Sequence, residues 1–444
     1  MIPTAPSITS FTAFVFQYVW QVFRIWWWLP APFILWKPFV YLWQWWRTYW
    51  WLRTIYKPIL MEVKLPKQSV KPMRAMEDVM NSFHTSIYHP PDWWEKNIDG
   101  QVQTSIVFEV VSLGGDIHFF VRCHKGYRDA IEASLYAQYP EAEITTAEDY
   151  AKAVPQDLPN DNWNMWASDY KLVKADFYPI ATYKNFETER EILEEKRIDP
   201  IATLLEGFSK VKPGEQFWVQ MACSPMSEGP AEAWRKEAEI ERDKLAKREE
   251  KTPVPAKPML LEAVDVLVTG KVPEQETKEE EKTFFPPEMK LTPGERIILS
   301  GIEEKISKPI FNTNIRFIFL GKRDTFNKGN FRIGFAFFGS YATTHLNALV
   351  PFGPTLSKIK KSRFLPVNAL LPRRLYLRNR RMFRNYVSRL HPLFPRTPPK
   401  EVKFKLNTEE LASLFHFPSY RIAPVPTVSR VEAKRTAPPE IPTE

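Results

Sequence analysis

The chain has 444 residues, a formal net charge of +9, 40 prolines, 15 glycines and two cysteines. Cys123 and Cys223 stand a hundred residues apart, which excludes a disulfide-dense scaffold and a CxxC metal site and fits a reducing compartment. The charge is local: between Asp324 and Glu401 there is no Asp or Glu while Lys and Arg number fifteen, so the rest of the chain sums to −6.

Residues 11–56 read as a membrane anchor in two parts. Ten of the sixteen tryptophans lie between Trp20 and Trp51, and indole, apolar with one polar N–H, concentrates where a bilayer meets water. Phe11 to Leu29 is 19 residues, near the roughly 20 a helix needs to cross the hydrocarbon. Gln17, Gln21 and Arg24 interrupt it, and Arg24 can snorkel from near one end. Pro30 and Pro32 break the helix. Phe33 to Tyr56 carries Lys37, Gln44, Arg47 and Arg53 and suits a helix lying in the interface. The pattern predicts one crossing by Phe11–Leu29, with Trp26, Trp27, Trp28, Trp36, Trp43, Trp45, Trp46, Trp50 and Trp51 at the membrane interface. The cations after the anchor place the bulk of the chain in the cytoplasm. A secretory signal would want positive charge in residues 1–10, which hold no Lys or Arg. An aromatic protein-binding helix pair is the other reading.

Beyond the anchor, Pro58–Pro66 reads as a strand and Met73–Tyr88 as a helix with Met76, Val79, Met80, Phe83 and Ile87 on one face. Gln101–Leu113 and Ile117–His124 are strands about a Gly114-Gly115-Asp116 turn. Gly126–Tyr139 is helical and Ala142–Thr146 a strand, completing β-α-β-β-α-β over 57–147. After a loop at 148–168 the order recurs over 148–350. Its elements are a strand at Tyr170–Ile180, a helix opened by Asp199-Pro200, a strand at Gln216–Cys223, a helix at Thr292–Ser307, a strand at Pro309–Gly321, a helix at Asn327–Thr343 and a strand at Leu346–Val350. Inserted at 228–291 are a charged helix, Glu232–Lys251, and a Pro-, Glu- and Lys-rich stretch expected to be disordered. A basic connector spans 351–400, with a helix at Pro372–Leu390 striped by Leu375, Met382, Phe383, Tyr386, Val387 and Leu390. Residues 401–444 hold a short strand, a helix announced by Asn407-Thr408-Glu409-Glu410, and a Pro-rich tail. The fold class is α+β: N-terminal transmembrane or interfacial helices, two ferredoxin-like (βαββαβ) units, the basic connector and the tail.

No catalytic constellation emerges. Thr269-Gly270-Lys271 lacks the earlier glycine of a Walker A loop, and Leu320-Gly321-Lys322-Arg323 lacks it too and puts Arg323 where the hydroxyl belongs. His118 and His124 share a strand face but lie roughly 20 Å apart, too far to share a metal. No cofactor, metal or catalytic residue is assigned. The candidate site is the cationic helix, with Arg373, Arg374, Arg378, Arg380, Arg381, Arg384 and Arg389. Such a surface suits an acidic partner protein, DNA backbone or anionic lipid, set against plain solvated charge.

Several strings resemble one bacterial family: Lys57-Pro-Ile-Leu-Met-Glu-Val-Lys-Leu-Pro-Lys67, Met73-Arg-Ala-Met-Glu-Asp-Val-Met80, His118-Phe-Phe-Val-Arg122, Pro372-Arg-Arg-Leu-Tyr-Leu-Arg378 and Thr408-Glu-Glu-Leu-Ala-Ser-Leu-Phe-His-Phe-Pro418. The family is the N-terminal, membrane-anchored region of conjugation-type DNA-translocating ATPases, related to type IV secretion coupling proteins. In longer members the last string leads into the ATPase core, which this sequence does not include, so no Walker motif or arginine finger carries over. The resemblance implies a non-enzymatic assembly subunit of a DNA-transfer machine. Its expected setting is the bacterial cytoplasmic membrane, single-pass, with membrane lipid and a separate ATPase as partners. DNA and a second copy of the chain remain open as further partners.

Overall fold

Two helices open the chain, α1 (Ile8–Trp26) and α2 (Ala31–Thr54); Pro32, expected to break the helix, sits in the first turn of α2, where proline is tolerated. The computed structural model describes residues 8–29, 31–66, 71–186, 199–246, 291–361, 368–389, 400–418 and 430–431. The described residues fall into two compact units, one made of those up to Pro58 with His89–Gln103 and the other of the rest. In the first unit a short π-helix, Glu95–Asp99, lies against α2. Among the described residues no helix is long and apolar enough to cross a membrane. The crossing expected of Phe11–Leu29 is therefore not supported. Gln17, Gln21 and Arg24 dilute α1, and the Trp and Tyr that dominate α2 favour the headgroup region over the hydrocarbon.

The second unit is an α+β sandwich on one sheet. Its elements begin β1 (Pro58–Pro66), α3 (Met73–Ile87), β2 (Ile106–Leu113), β3 (Asp116–His124), α4 (Arg128–Gln138) and β4 (Glu143–Thr146). They continue β5 (Trp163–Leu172), α5 (Pro200–Ser209), β6 (Glu215–Pro225), α6 (Glu228–Leu245), α7 (Pro293–Ser307), β7 (Ile310–Lys322), α8 (Arg332–Gly339) and β8 (Leu349–Pro351). Last come α9 (Leu371–Ser388), β9 (Phe404–Asn407), α10 (Thr408–Leu414) and β10 (Arg430–Val431). The strand path is β10-β1-β3-β2-β6-β7-β5-β8, with β4 also on β1 and β9 on β7. Counted in each half's own order, both halves run 4-1-3-2, and they are fused edge to edge where β2 meets β6 antiparallel, Val110 opposite Val219. The two halves expected as separate domains thus share one sheet.

Strand β5 starts at Trp163 rather than at Tyr170. Both of its faces are buried, with Met165 and Ala167 on one core and Trp166, Tyr170 and Leu172 on the other, so it shows no period-two pattern. The helix expected over 327–343 shrinks to α8 behind a 3₁₀ turn at Lys328–Phe331. Two N-caps behave as read: Asp199 accepts from Ile201 N, and Asn407 forms a capping box with Glu410. The charged helix expected at Glu232–Lys251 is α6 and begins four residues earlier. The stretch expected to be disordered, Thr252–Phe284, lies outside the described residues.

One face of the sheet packs under α3, α4, α5, α8 and α10 around Phe83, Phe108, Phe208, Phe217 and Phe317. On the other face Leu60, Val111, Phe120, Trp218, Ile318 and Leu320 meet Tyr150, Val154 and Leu158 and, from α9, Met382, Phe383 and Tyr386.

Candidate functional site

The face beneath α9 carries a row of polar side chains that registers across four strands. Glu109 on β2 stands opposite Gln220 on β6, Gln220 opposite Arg316 on β7, and Arg316 opposite Asp169 on β5. All four are buried. In sequence Glu109, Gln220 and Arg316 each interrupt an apolar run, as in Val107-Phe-Glu-Val110 and Ile315-Arg-Phe317. That interruption is the only signal that could have found them.

Helix α9 is locked onto this row by its own end. Arg389 follows the helix in the left-handed region, with φ 54°. Its Nε donates to Glu109 Oε1 at 2.7 Å, and its two Nη groups donate to Asp149 Oδ1 and Oδ2, each at 2.7 Å. The Tyr150 hydroxyl donates to Glu109 Oε2 at 2.7 Å and lies 2.9 Å from the Tyr386 hydroxyl. Gln220 Nε2 donates to Glu109 Oε1, and Arg316 Nη1 to the carbonyl of Asn385, at 2.7 and 2.6 Å. Burial and the Glu109 charge push both phenols well above the ordinary tyrosine range, so they stay protonated. Burial opposes the charge on Arg389, but Glu109 and Asp149 outweigh it and hold the guanidinium more firmly charged than usual. The network is built to fix a helix.

The seven arginines therefore divide. Arg373, Arg374, Arg381 and Arg384 are exposed. Arg378 is half-buried and donates to the carbonyls of Gly353, Leu356 and Lys358. Arg380 lies over the Tyr376 ring at 5.9 Å and donates to its hydroxyl. Arg389 is buried, so its assignment to partner or nucleic-acid binding is corrected: its partners are Glu109 and Asp149 of this chain. In the helix stripe Met382, Phe383 and Tyr386 are buried as read, Val387 is partly buried, and Leu390 lies outside the described residues.

A second polar cluster fastens α10. Lys305 pairs with Glu410 at 2.9 Å, both fully buried. Lys308 pairs with Glu77 at 2.6 Å and with Glu409, and Lys184 pairs with Glu409 at 3.1 Å. His416 Nε2 meets Asp199 Oδ1 at 2.9 Å. A cleft of about 350 Å³ opens beside the cluster, lined by Arg296, Ser300, Glu304 and Lys184 among others. Lys184 and Glu304 in its lining pair with each other, and among the described residues no group of three His, Cys, Asp or Glu could hold a metal. The Thr408–Pro418 string is thus a structural clasp here.

In the first unit eight of the tryptophans assigned to an interface are exposed: Trp26, Trp27, Trp28, Trp36, Trp43, Trp45, Trp46 and Trp50. Trp51 is the exception. It is buried and packs against Tyr56 with ring centroids 5.7 Å apart. Trp93 and Trp94, which the sequence reading passed over, are more exposed than most of them.

A family model described as "Domain of unknown function (DUF8128)" matches residues 59–334. The chain belongs to this family. The DUF8128 match runs from β1 into α8 and so takes in the seam between the two halves of the sheet. Helices α1, α2 and α9 fall outside it. No curated protein matches the chain.

Proposed function

We propose that this DUF8128 protein is a non-enzymatic, membrane-associated assembly subunit of a bacterial conjugation or type IV secretion-like DNA-transfer machine, one that docks a separate translocating ATPase. The two halves of its sheet are read as fused ferredoxin-like units forming a rigid platform. The observation that carries the reading is the surface of α1 and α2. Phe14, Phe16, Phe33, Ile34, Trp36 and their neighbours are exposed in numbers that water does not tolerate, and no acidic residue precedes Glu62. These helices bind at the interface of an anionic, cytoplasm-facing leaflet. The resemblance to coupling-protein anchors supplies the machine and the motor.

Flotation tests the membrane part. Full-length protein should rise with vesicles containing phosphatidylglycerol and resist a high-salt wash. Protein left in the aqueous fraction at low salt would overturn it. For docking, a coupling-type ATPase should be retained on those vesicles only when this chain is present.

The exposed Arg373, Arg374, Arg381 and Arg384 favour a second reading, a membrane-tethered DNA-binding module using 358–396. DNA affinity should then fall steeply with salt, as phosphate neutralisation requires. No binding at low salt removes this reading.

A further inference from the structure

The segment around Trp93 is built onto α2 with more care than a connecting loop needs. Trp43 Nε1 donates to the carbonyl of Asn97 at 2.9 Å, and Gln44 Nε2 to Asn97 Oδ1 at 2.8 Å. Arg47 donates to the carbonyl of Ile98 and pairs with Asp99 at 3.6 Å. Gly100, at φ 75°, lies so close to α2 that a Cβ there would stand 2.6 Å from Arg47 O and from Thr48 N. So Gln44 and Arg47, two of the polar residues that interrupt α2, grip this segment.

What the grip holds out is a pair of indoles. Trp93 and Trp94 are 63% and 66% exposed, edge to face at 5.1 Å. Asn97 Nδ2 donates to the carbonyl of Trp93 at 2.9 Å, which steadies the turn. The acidic groups beside them are occupied: Asp92 and Glu95 cap each other's backbone N–H at 2.9 and 2.8 Å, and Asp99 faces Arg47. A fixed, exposed tryptophan pair in the same unit as two aromatic, acid-free helices has the composition of a lipid headgroup contact. The charge agrees, since Arg24, Lys37, Arg47, Arg53 and Lys57 precede the first acidic residue, Glu62.

We infer that Trp93 and Trp94 form a third membrane-contact element, inserting into the headgroup region of an anionic bilayer from a segment that α2 holds in place. This rests on the reading of α1 and α2 as bilayer-associated. Both native cysteines are buried, so a thiol-reactive, environment-sensitive fluorophore on the folded protein reports an introduced cysteine. Full-length Trp94→Cys, Trp27→Cys and, on exposed α6, Lys236→Cys would be labelled. Each would be mixed with vesicles of phosphatidylcholine containing phosphatidylglycerol, with nitroxide-lipid quenching as a second readout.

Blue shift and quenching at 94 and 27 but not at 236 are expected. A shift at 27 with none at 94 overturns the inference and leaves the anchor reading standing. A shift at neither overturns both. Trp93→Ala/Trp94→Ala, which touches no core, should lower vesicle partition about tenfold with unchanged circular dichroism, as loss of two interfacial rings requires. Unchanged partition would overturn the inference independently.

Discussion

On β7, Ile315 and Arg316 are neighbours that point to opposite faces of the sheet, and their side chains are held by different physics. Ile315 enters a core of aromatic and aliphatic side chains under α3 and α8. Arg316 enters the polar row under α9 and donates to the carbonyl of Asn385. Apolar packing is non-directional and accepts rearrangement. A buried charge accepts few positions, because losing a partner leaves it unpaired at low dielectric. Apolar contacts such as those of Ile315 therefore give bulk stability, while the polar row fixes where α9 sits and which of its arginines turn outward.

The comparison breaks most sharply at Arg389. Arg389→Ala leaves Glu109 without its buried cation and Asp149 without its bidentate partner, and should cost about 3–5 kcal/mol in urea denaturation. Arg389→Lys cannot reproduce the fork and should recover only part of that loss. If Arg389→Ala costs no more than a surface change, the network is not what holds α9. On the other face, Ile315→Val should cost only about 1 kcal/mol. A cost equal to that of Arg389→Ala would erase the contrast.

A third test uses pH. Burial disfavours charge on His416, but Asp199's charge and hydrogen bond outweigh it and raise the imidazole's pKa. The folded state thus holds a proton that the unfolded chain releases. The stabilisation is complete below about pH 6.5, the ordinary histidine value, and is lost as pH rises through the higher folded value. Thermal melts should show that decline, and His416→Gln should flatten it. A wild-type melt that is level across this window would mean the pair is not charged.

The smallest effect on stability is expected for Arg380→Glu/Arg381→Glu/Arg384→Glu, whose side chains contact no core: about 0.5 kcal/mol or less per site. The same variant should lose capture of the ATPase or of DNA. A variant that unfolds would make these arginines structural, and one that folds and keeps both interactions would make them solvated charge.

Element order was largely legible, because α3, α4 and α5 show helical spacing and Gly114-Gly115 marks the hairpin. Strand β5 was cut short because burial on both faces erases alternation. The arginines could not be sorted from sequence. Arg381 and Arg389 share a basic run, and what separates them is Glu109, 280 positions away along the chain from Arg389. The task of two α2 polar residues was hidden in a similar way. Gln44 and Arg47 count against an apolar span, as read, but nothing in the sequence sets them against the Asn97–Gly100 segment that takes them up.

The seam between β2 and β6 has a consequence during synthesis. Ribosomes deliver the first half complete, through β4, while the partner of β2 is still unmade. Val110 must wait for Val219, an interval of about 5–20 s at typical elongation rates. Until then β2 is an open edge of Ile, Val and Phe, a template for any passing strand. Chains released after β4 should self-associate through that edge, and chains released after Pro225 should not. For the length of that delay the nascent chain is protected only by whatever keeps other strands away from the β2 edge.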